Sequence, residues 1–368
     1  MIIAILIFLL ILILIIFILL RAAPVFGGRP TEYWINTYKE SKQWKDNQFQ
    51  YYIPTSLDLA FWKIPGIIYK QFTGLENRRP SKNIEVLKNQ WIPSKDTSSA
   101  AKILWFGHST FIIEIAGKTI LVDPMFGQVP APHPRLGYLR FNKFMPMEPD
   151  QLPEIDIVLM SHDHYDHLDY GSILKIKHEV KQFIVPLGVK RHFIRWGIAD
   201  DKIIEMDWWQ DMTMDGLQLV CTPARHFSGR GIGDRAKSLW CSWILKSGKE
   251  NIFFSGDSGY GPHFKEIGDQ YGPFDFAMLE CGQYYKDWAL IHMLPEEGVQ
   301  AGIDLKAKVI MPIHWGAFTL AFHSWTEPVE RMLIKAQELN VEVTTPRIGE
   351  LITVNGDYPK DHWWKEYL

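Results

Sequence analysis

The chain has 368 residues, 47% of them apolar and 22% charged, with a net charge of −3. That length supports one large globular domain or two of ordinary size, and the near-neutral charge excludes a nucleic-acid partner drawn in by long-range attraction. Three cysteines, Cys221, Cys241 and Cys281, form no C-x-x-C pair and leave one over, which argues against a disulfide framework and fits a reducing compartment.

In chain order, Ile2 to Leu20 is an unbroken apolar run, long enough to cross a bilayer as one helix. No cation precedes it, and Arg21-Ala22-Ala23-Pro24 is a poor cleavage site, so a retained anchor over 1–21 is expected rather than a signal peptide. The first cations, Arg21 and Arg29, follow the run, which leans toward a cytoplasmic placement of the rest. Residues 22–100 form an extension rich in aromatic and basic residues. Tyr51-Tyr52-Ile53-Pro54 and Phe61 to Tyr69 read either as a collar at headgroup level or as a segment packed on the main domain. The small, polar stretch Ser94 to Ala101 marks the boundary of a domain over 101–368.

From Lys102 the apolar pattern becomes that of strands. Ile103 to Phe106, Phe111 to Ile115 and Thr119 to Val122 come first, the last two joined by the hairpin signal Ala116-Gly117-Lys118. Ile155 to Met160 reads as a buried strand, followed by strand 183–185 and helix 189–196. Strands at 217–220, 252–254 and 276–279, a helix over 296–304, a strand at 309–311 and a helix over 327–339 complete the alternation. Mixed strands with outer helices predict a layered α/β domain with its strand-end loops along one edge.

Those loops carry the chemistry. Ser161-His162-Asp163-His164-Tyr165-Asp166-His167 leaves the strand at Ile155 with three imidazoles and a carboxylate in the pattern His-x-His-x-Asp-His. In extended chain His162 and His164 share a side. A turn at Tyr165 lets Asp166 and His167 face a second point, which suits two neighbouring metals better than one. Three further loops each set one metal-capable side chain just past a strand: His226, Asp257 and His314.

These residues resemble the metallo-β-lactamase fold superfamily of hydrolases. Within it the chain is similar to N-acylphosphatidylethanolamine-hydrolysing phospholipase D and its bacterial relatives. The resemblance runs from Leu104-Trp105-Phe106-Gly107-His108-Ser109-Thr110 through Gly256-Asp257-Ser258-Gly259-Tyr260 to His314-Trp315-Gly316-Ala317-Phe318. It implies an αββα sandwich and two zinc ions per chain: one held by His162, His164 and His226, the other by Asp166, His167 and His314, with Asp257 bridging. Imidazole and carboxylate donors agree with zinc. The resemblance also gives Asp166 and Asp257 catalytic roles and places His292, in His292-Met293-Leu294-Pro295-Glu296-Glu297, at the substrate phosphate or the leaving group. His108 and Asp123 are candidates for orienting ligands. The implied activity is a membrane-anchored zinc phosphodiesterase acting on a phospholipid. The alternative is a lactonase or similar hydrolase of a small phosphorylated substrate. Leu279 to Tyr284 departs from the phospholipase pattern beside the expected cleft.

Overall fold

The computed structural model describes residues 5–12, 22–56, 61–74, 77–89, 91–231 and 233–368. Two seven-stranded sheets form its centre. The first orders β14 (Leu351–Thr353), β1 (Lys102–Trp105), β2 (Phe111–Ile115), β3 (Lys118–Val122), β4 (Ile155–Leu159), β5 (Val180–Pro186) and β6 (Ile203–Met206). The second orders β7 (Asp211–Met214), β8 (Leu217–Pro223), β9 (Cys241–Lys246), β10 (Asn251–Phe254), β11 (Phe276–Glu280), β12 (Val309–Ile313) and β13 (Glu342–Val343). In each sheet the first four strands pair antiparallel and the last four parallel, with the fourth strand doing both.

Strand alternation builds the layers. Ile103, Trp105, Ile113 and Val122 point into the cluster shared with the second sheet, while Leu104, Ile112 and Leu121 point the other way. That outer face is covered by α3 (Tyr170–Ile176) and α4 (Lys190–Arg195) through Ile173, Ile176 and Phe193. α5 (His263–Tyr271), α6 (Pro295–Asp304) and α7 (Glu327–Leu339) cover the second sheet through Phe264, Val299 and Met332. Both faces of each sheet are therefore buried, as parallel pairing requires. The result is a four-layer α/β/β/α sandwich.

The N-terminal extension packs on this body. α1 (Glu32–Tyr38) and the short pairing of Trp44–Lys45 with Gln48–Phe49 bury Tyr38, Trp44 and Phe49 in the inter-sheet cluster. Tyr51 lies against Trp240, and Tyr52 against Trp208. α2 (Ile64–Phe72) instead leaves Ile68 and Tyr69 exposed, as is Trp62 just before it, at 79%. It is tied down by Lys63 to Asp287 at 2.9 Å and Lys70 to the Tyr285 hydroxyl at 2.7 Å. The 51–54 stretch thus packs on the main domain, while the 61–69 stretch is tethered to it and leaves part of its aromatic surface exposed.

Most of the apolar N-terminal run lies outside the described residues; residues 5–12 within it are helical and exposed. Among the described residues no helix is long and apolar enough to cross a membrane.

Candidate metal centre

The site sits where strands of both sheets end. β4 runs into the 161–169 loop, which turns back on itself as Leu168 N–H donates to the His164 carbonyl at 2.8 Å. His226 follows β8, Asp257 follows β10 and His314 follows β12. The loops are stitched together by backbone: Cys241 N–H donates to the Ser161 carbonyl at 3.0 Å, and His314 N–H to the His108 carbonyl at 3.1 Å. Gly256 makes this approach possible. A side chain there would meet the Cys241 carbonyl at 2.7 Å and Ser161 Cβ at 2.8 Å, and its φ of +55 suits glycine. His108, Asp123 and His314 also hold positive φ, a cost that tertiary contacts must offset and that clusters at working sites.

All seven candidate ligands converge. His162, His164 and His226 form one group of donor atoms, and Asp166, His167, His314 and His108 a second. His226 Nε2 lies 3.0 Å from His164 Nδ1. Asp166 Oδ2 lies 3.2 Å from His314 Nε2 and 2.9 Å from His108 Nε2. Asp257 stands between the groups. Its Oδ2 is 3.2 Å from His314 Nε2 and 3.8 Å from both His162 and His226 Nε2, while its Oδ1 is 3.1 Å from His167 Nε2.

The donors are chemically unfinished without cations. His162 Nε2, His167 Nε2 and Asp257 Oδ1 are buried without a hydrogen-bond partner, in a chain whose buried polar atoms are otherwise mostly paired. Burial pushes His162, His164 and His226 below the ordinary imidazole range, so they stand as neutral donors. Against the same burial, Asp257 and Asp166 draw protons onto His167 and His314, the latter raised to about 10. Burial also opposes charge on Asp166 and Asp257, yet the surrounding imidazoles hold both well below the usual carboxylate range. The carboxylates demand positive charge at the point where the donors converge, so residues and divalent cations fit.

A second ring of contacts fixes the ligands. Asp123, beyond β3, takes His167 Nδ1 at 2.7 Å and the Ser161 N–H at 2.8 Å. His226 Nδ1 is held by the Ile291 carbonyl at 3.0 Å. His108 contacts Asp166 directly, closer than an orienting role alone requires, and burial followed by the neighbouring His314 lowers it to about 3. His292 lies beside the centre, its ring 4.9 Å from His226 and stacked 5.2 Å from His314.

Two residues escaped the sequence reading. Asp163, inside the motif, faces away: it accepts from Gly229 N–H at 2.7 Å and Ser238 Oγ at 2.6 Å and meets His192 Nε2 at 3.1 Å. It anchors the loop. Glu280, at the end of β11, is fully buried and contacts His292 Nδ1. An acid at the end of an apolar strand, as with Asp257 after β10, was the available signal.

The profile described as a β-lactamase superfamily domain matches residues 118–315. The chain belongs to this superfamily. An uncharacterised superfamily relative from Mycobacterium tuberculosis is 40% identical over 272 residues, covering 73% of each chain. N-acyl-phosphatidylethanolamine-hydrolyzing phospholipase D 1 of Caenorhabditis elegans is 31% identical, over 67% of this chain and 74% of its own. Among solved structures, an isothiocyanate hydrolase from Delia radicum gut bacteria aligns with a TM-score of 0.54 at 20% identity, over 68% of this chain and 98% of that one. That likeness shows the metallo-β-lactamase fold. Within the superfamily this chain is a metal-dependent hydrolase.

Proposed function

We propose that the chain is a dinuclear zinc phosphodiesterase of phospholipase D type, acting on N-acylphosphatidylethanolamine-like lipids at a membrane. Residues 1–21 are its single-pass anchor, 22–100 its membrane-proximal extension and 101–368 its catalytic domain, on the cytoplasmic side. His162, His164 and His226 hold one zinc, Asp166, His167 and His314 the other, and Asp257 bridges. Bound there, the pair supplies Lewis acidity and a nucleophilic water at neutral pH.

The observation that carries this reading is the cavity over the donors. It has a volume of about 250 Å³ and is walled by Phe227, Trp288, Ile291 and Leu320 beside the ligands. Among the described residues no Lys or Arg lines it. With the metals as its source of positive charge, the apolar remainder of the wall suits a singly charged diester with apolar substituents. α2 supports the membrane setting, since it docks on the 285–288 loop that carries Trp288 and presents Trp62, Ile68 and Tyr69 outward. Apolar walls keep water from the leaving group, and His292 hands that group a proton.

The zinc-loaded full chain should release phosphatidate from N-acylphosphatidylethanolamine in mixed vesicles and should leave phosphorylated sugar lactones intact, as read by mass spectrometry of the products. Lactone turnover without lipid turnover refutes the assignment. Asp257→Asn should abolish lipid turnover while circular dichroism stays unchanged.

A further inference from the structure

We infer that Glu280 is the positioning residue for His292: its carboxylate holds the Nδ1–H and turns Nε2 into the cavity. The inference rests on the phosphodiesterase reading for its chemistry, but its geometry stands alone.

Glu280 ends β11 at full burial, so nothing but protein satisfies its oxygens. Oε2 accepts the Ser258 N–H, in the loop that carries Asp257. Oε1 contacts His292 Nδ1 and lies 3.4 Å from His314 Nδ1. The two rings stack at an interplanar angle of 10°, both with Nδ1 toward that one oxygen. His314 correspondingly aims Nε2 at Asp166 and Asp257. His292 lines the cavity, and with Nδ1 taken by Glu280 its Nε2 is the ring nitrogen left for that space. The close contact of this carboxylate is to His292, whereas His314 Nδ1 also has the Gly282 carbonyl at 3.4 Å, so His292 is the ring that depends on Glu280.

The chemical consequence is proton delivery at a fixed point. When the bond from phosphorus to the head-group oxygen breaks, its electron pair stays on that oxygen. The oxygen takes the Nε2 proton of the His292 imidazolium, and the neutral ring that remains keeps its Nδ1–H on Glu280. Water adds hydroxyl to phosphorus, and the proton it sheds balances the one carried off by the alcohol.

The test compares the zinc-loaded wild type with Glu280→Gln, His292→Ala and the double variant. Proton NMR supplies the first arm. The downfield imidazole N–H signal that vanishes in His292→Ala should also vanish or move upfield in Glu280→Gln; its persistence overturns the inference. Leaving-group dependence supplies the second. On the lipid, whose leaving alcohol needs a proton, Glu280→Gln should lower kcat about 100-fold. On bis(p-nitrophenyl) phosphate, whose leaving group needs none, it should stay within about threefold of wild type. The double variant should lose no more than His292→Ala alone. Equal losses on both substrates, additive losses in the double variant, or loss of zinc from Glu280→Gln each overturn it. A wild type that cleaves the aryl diester but no lipid refutes the lipid assignment alone, and the NMR arm still judges Glu280.

Discussion

Asp123 shows how much of the site depends on groups that never face the cavity. Fully buried, it grips His167 Nδ1 and, through Ser161, the start of the metal loop. Asp123→Asn replaces the acceptor on that nitrogen with an amide, and zinc affinity should fall about 10–100-fold by competition with a chelator, with little change in thermal stability. At this scale the sequence is most legible where spacing is local. His162, His164, Asp166 and His167 share one loop, and a strand followed by a turn already divides them between two points. The role of Glu280 was hidden because its partners, Ser258, His292 and His314, lie on separate segments that meet only through the register of β10, β11 and β12. His108 was legible as an orienting residue, but its direct contact with Asp166 follows from a positive φ that no pattern announces.

Elements were legible in proportion to their burial. The central strands β1 to β4 and β10 to β12 are mostly apolar, and each falls within a residue or two of its expected place. The helix expected over 189–196 occupies Lys190–Arg195, and the strand expected at 309–311 continues to Ile313. The covering helices α3 and α5 escaped, and within the sheets the edge strands and β9 did. β6, β7 and β13 lie at sheet edges, and β7 alternates exposed and half-buried residues, a weak signal for four positions. β9 was hidden for another reason: Cys241-Ser242-Trp243 mixes polar and apolar residues because Ser242 bonds Thr222 across the ladder at 2.7 Å. β6 also carries a titration. Burial raises Glu205 to about 7, although it accepts the N–H groups of Gly188 and Lys190. A carboxyl held above its unfolded value costs stability as pH rises from the unfolded toward the folded value, and the full cost stands above the latter. Glu205→Gln keeps one acceptor oxygen and never charges. It should raise the melting temperature relative to wild type near pH 8 and much less near pH 5.

Across the whole molecule the two sheets repeat one plan, antiparallel then parallel in the same order, although no internal repeat is visible in the chain. The plan is held by burial on both faces rather than by shared residues, which is why it appears only in three dimensions. The extension is knit into it. Arg230, almost fully buried, donates to the Asp163 and Leu168 carbonyls of the metal loop at 2.7 and 2.6 Å and to the Val25 carbonyl at 3.0 Å. One guanidinium therefore joins the segment after the apolar run to the loop that carries four candidate ligands. Removing residues 1–21 leaves Val25 and this joint in place. The shortened chain should keep its zinc and its turnover of detergent-dispersed lipid, yet should no longer sediment with vesicles. Vesicle binding equal to that of the full chain shifts the anchoring role to the face of α2.

The first sheet is closed by β14, and Trp315, next to ligand His314, is walled in by Trp363 and Trp364, with ring centres 5.5 Å away in each case. Both segments are translated after every ligand. A nascent chain thus carries all seven candidate metal ligands before β1 has β14 beside it and before Trp315 has its backing. The backing of the ligand loop is therefore complete only once the last residues of the chain have packed.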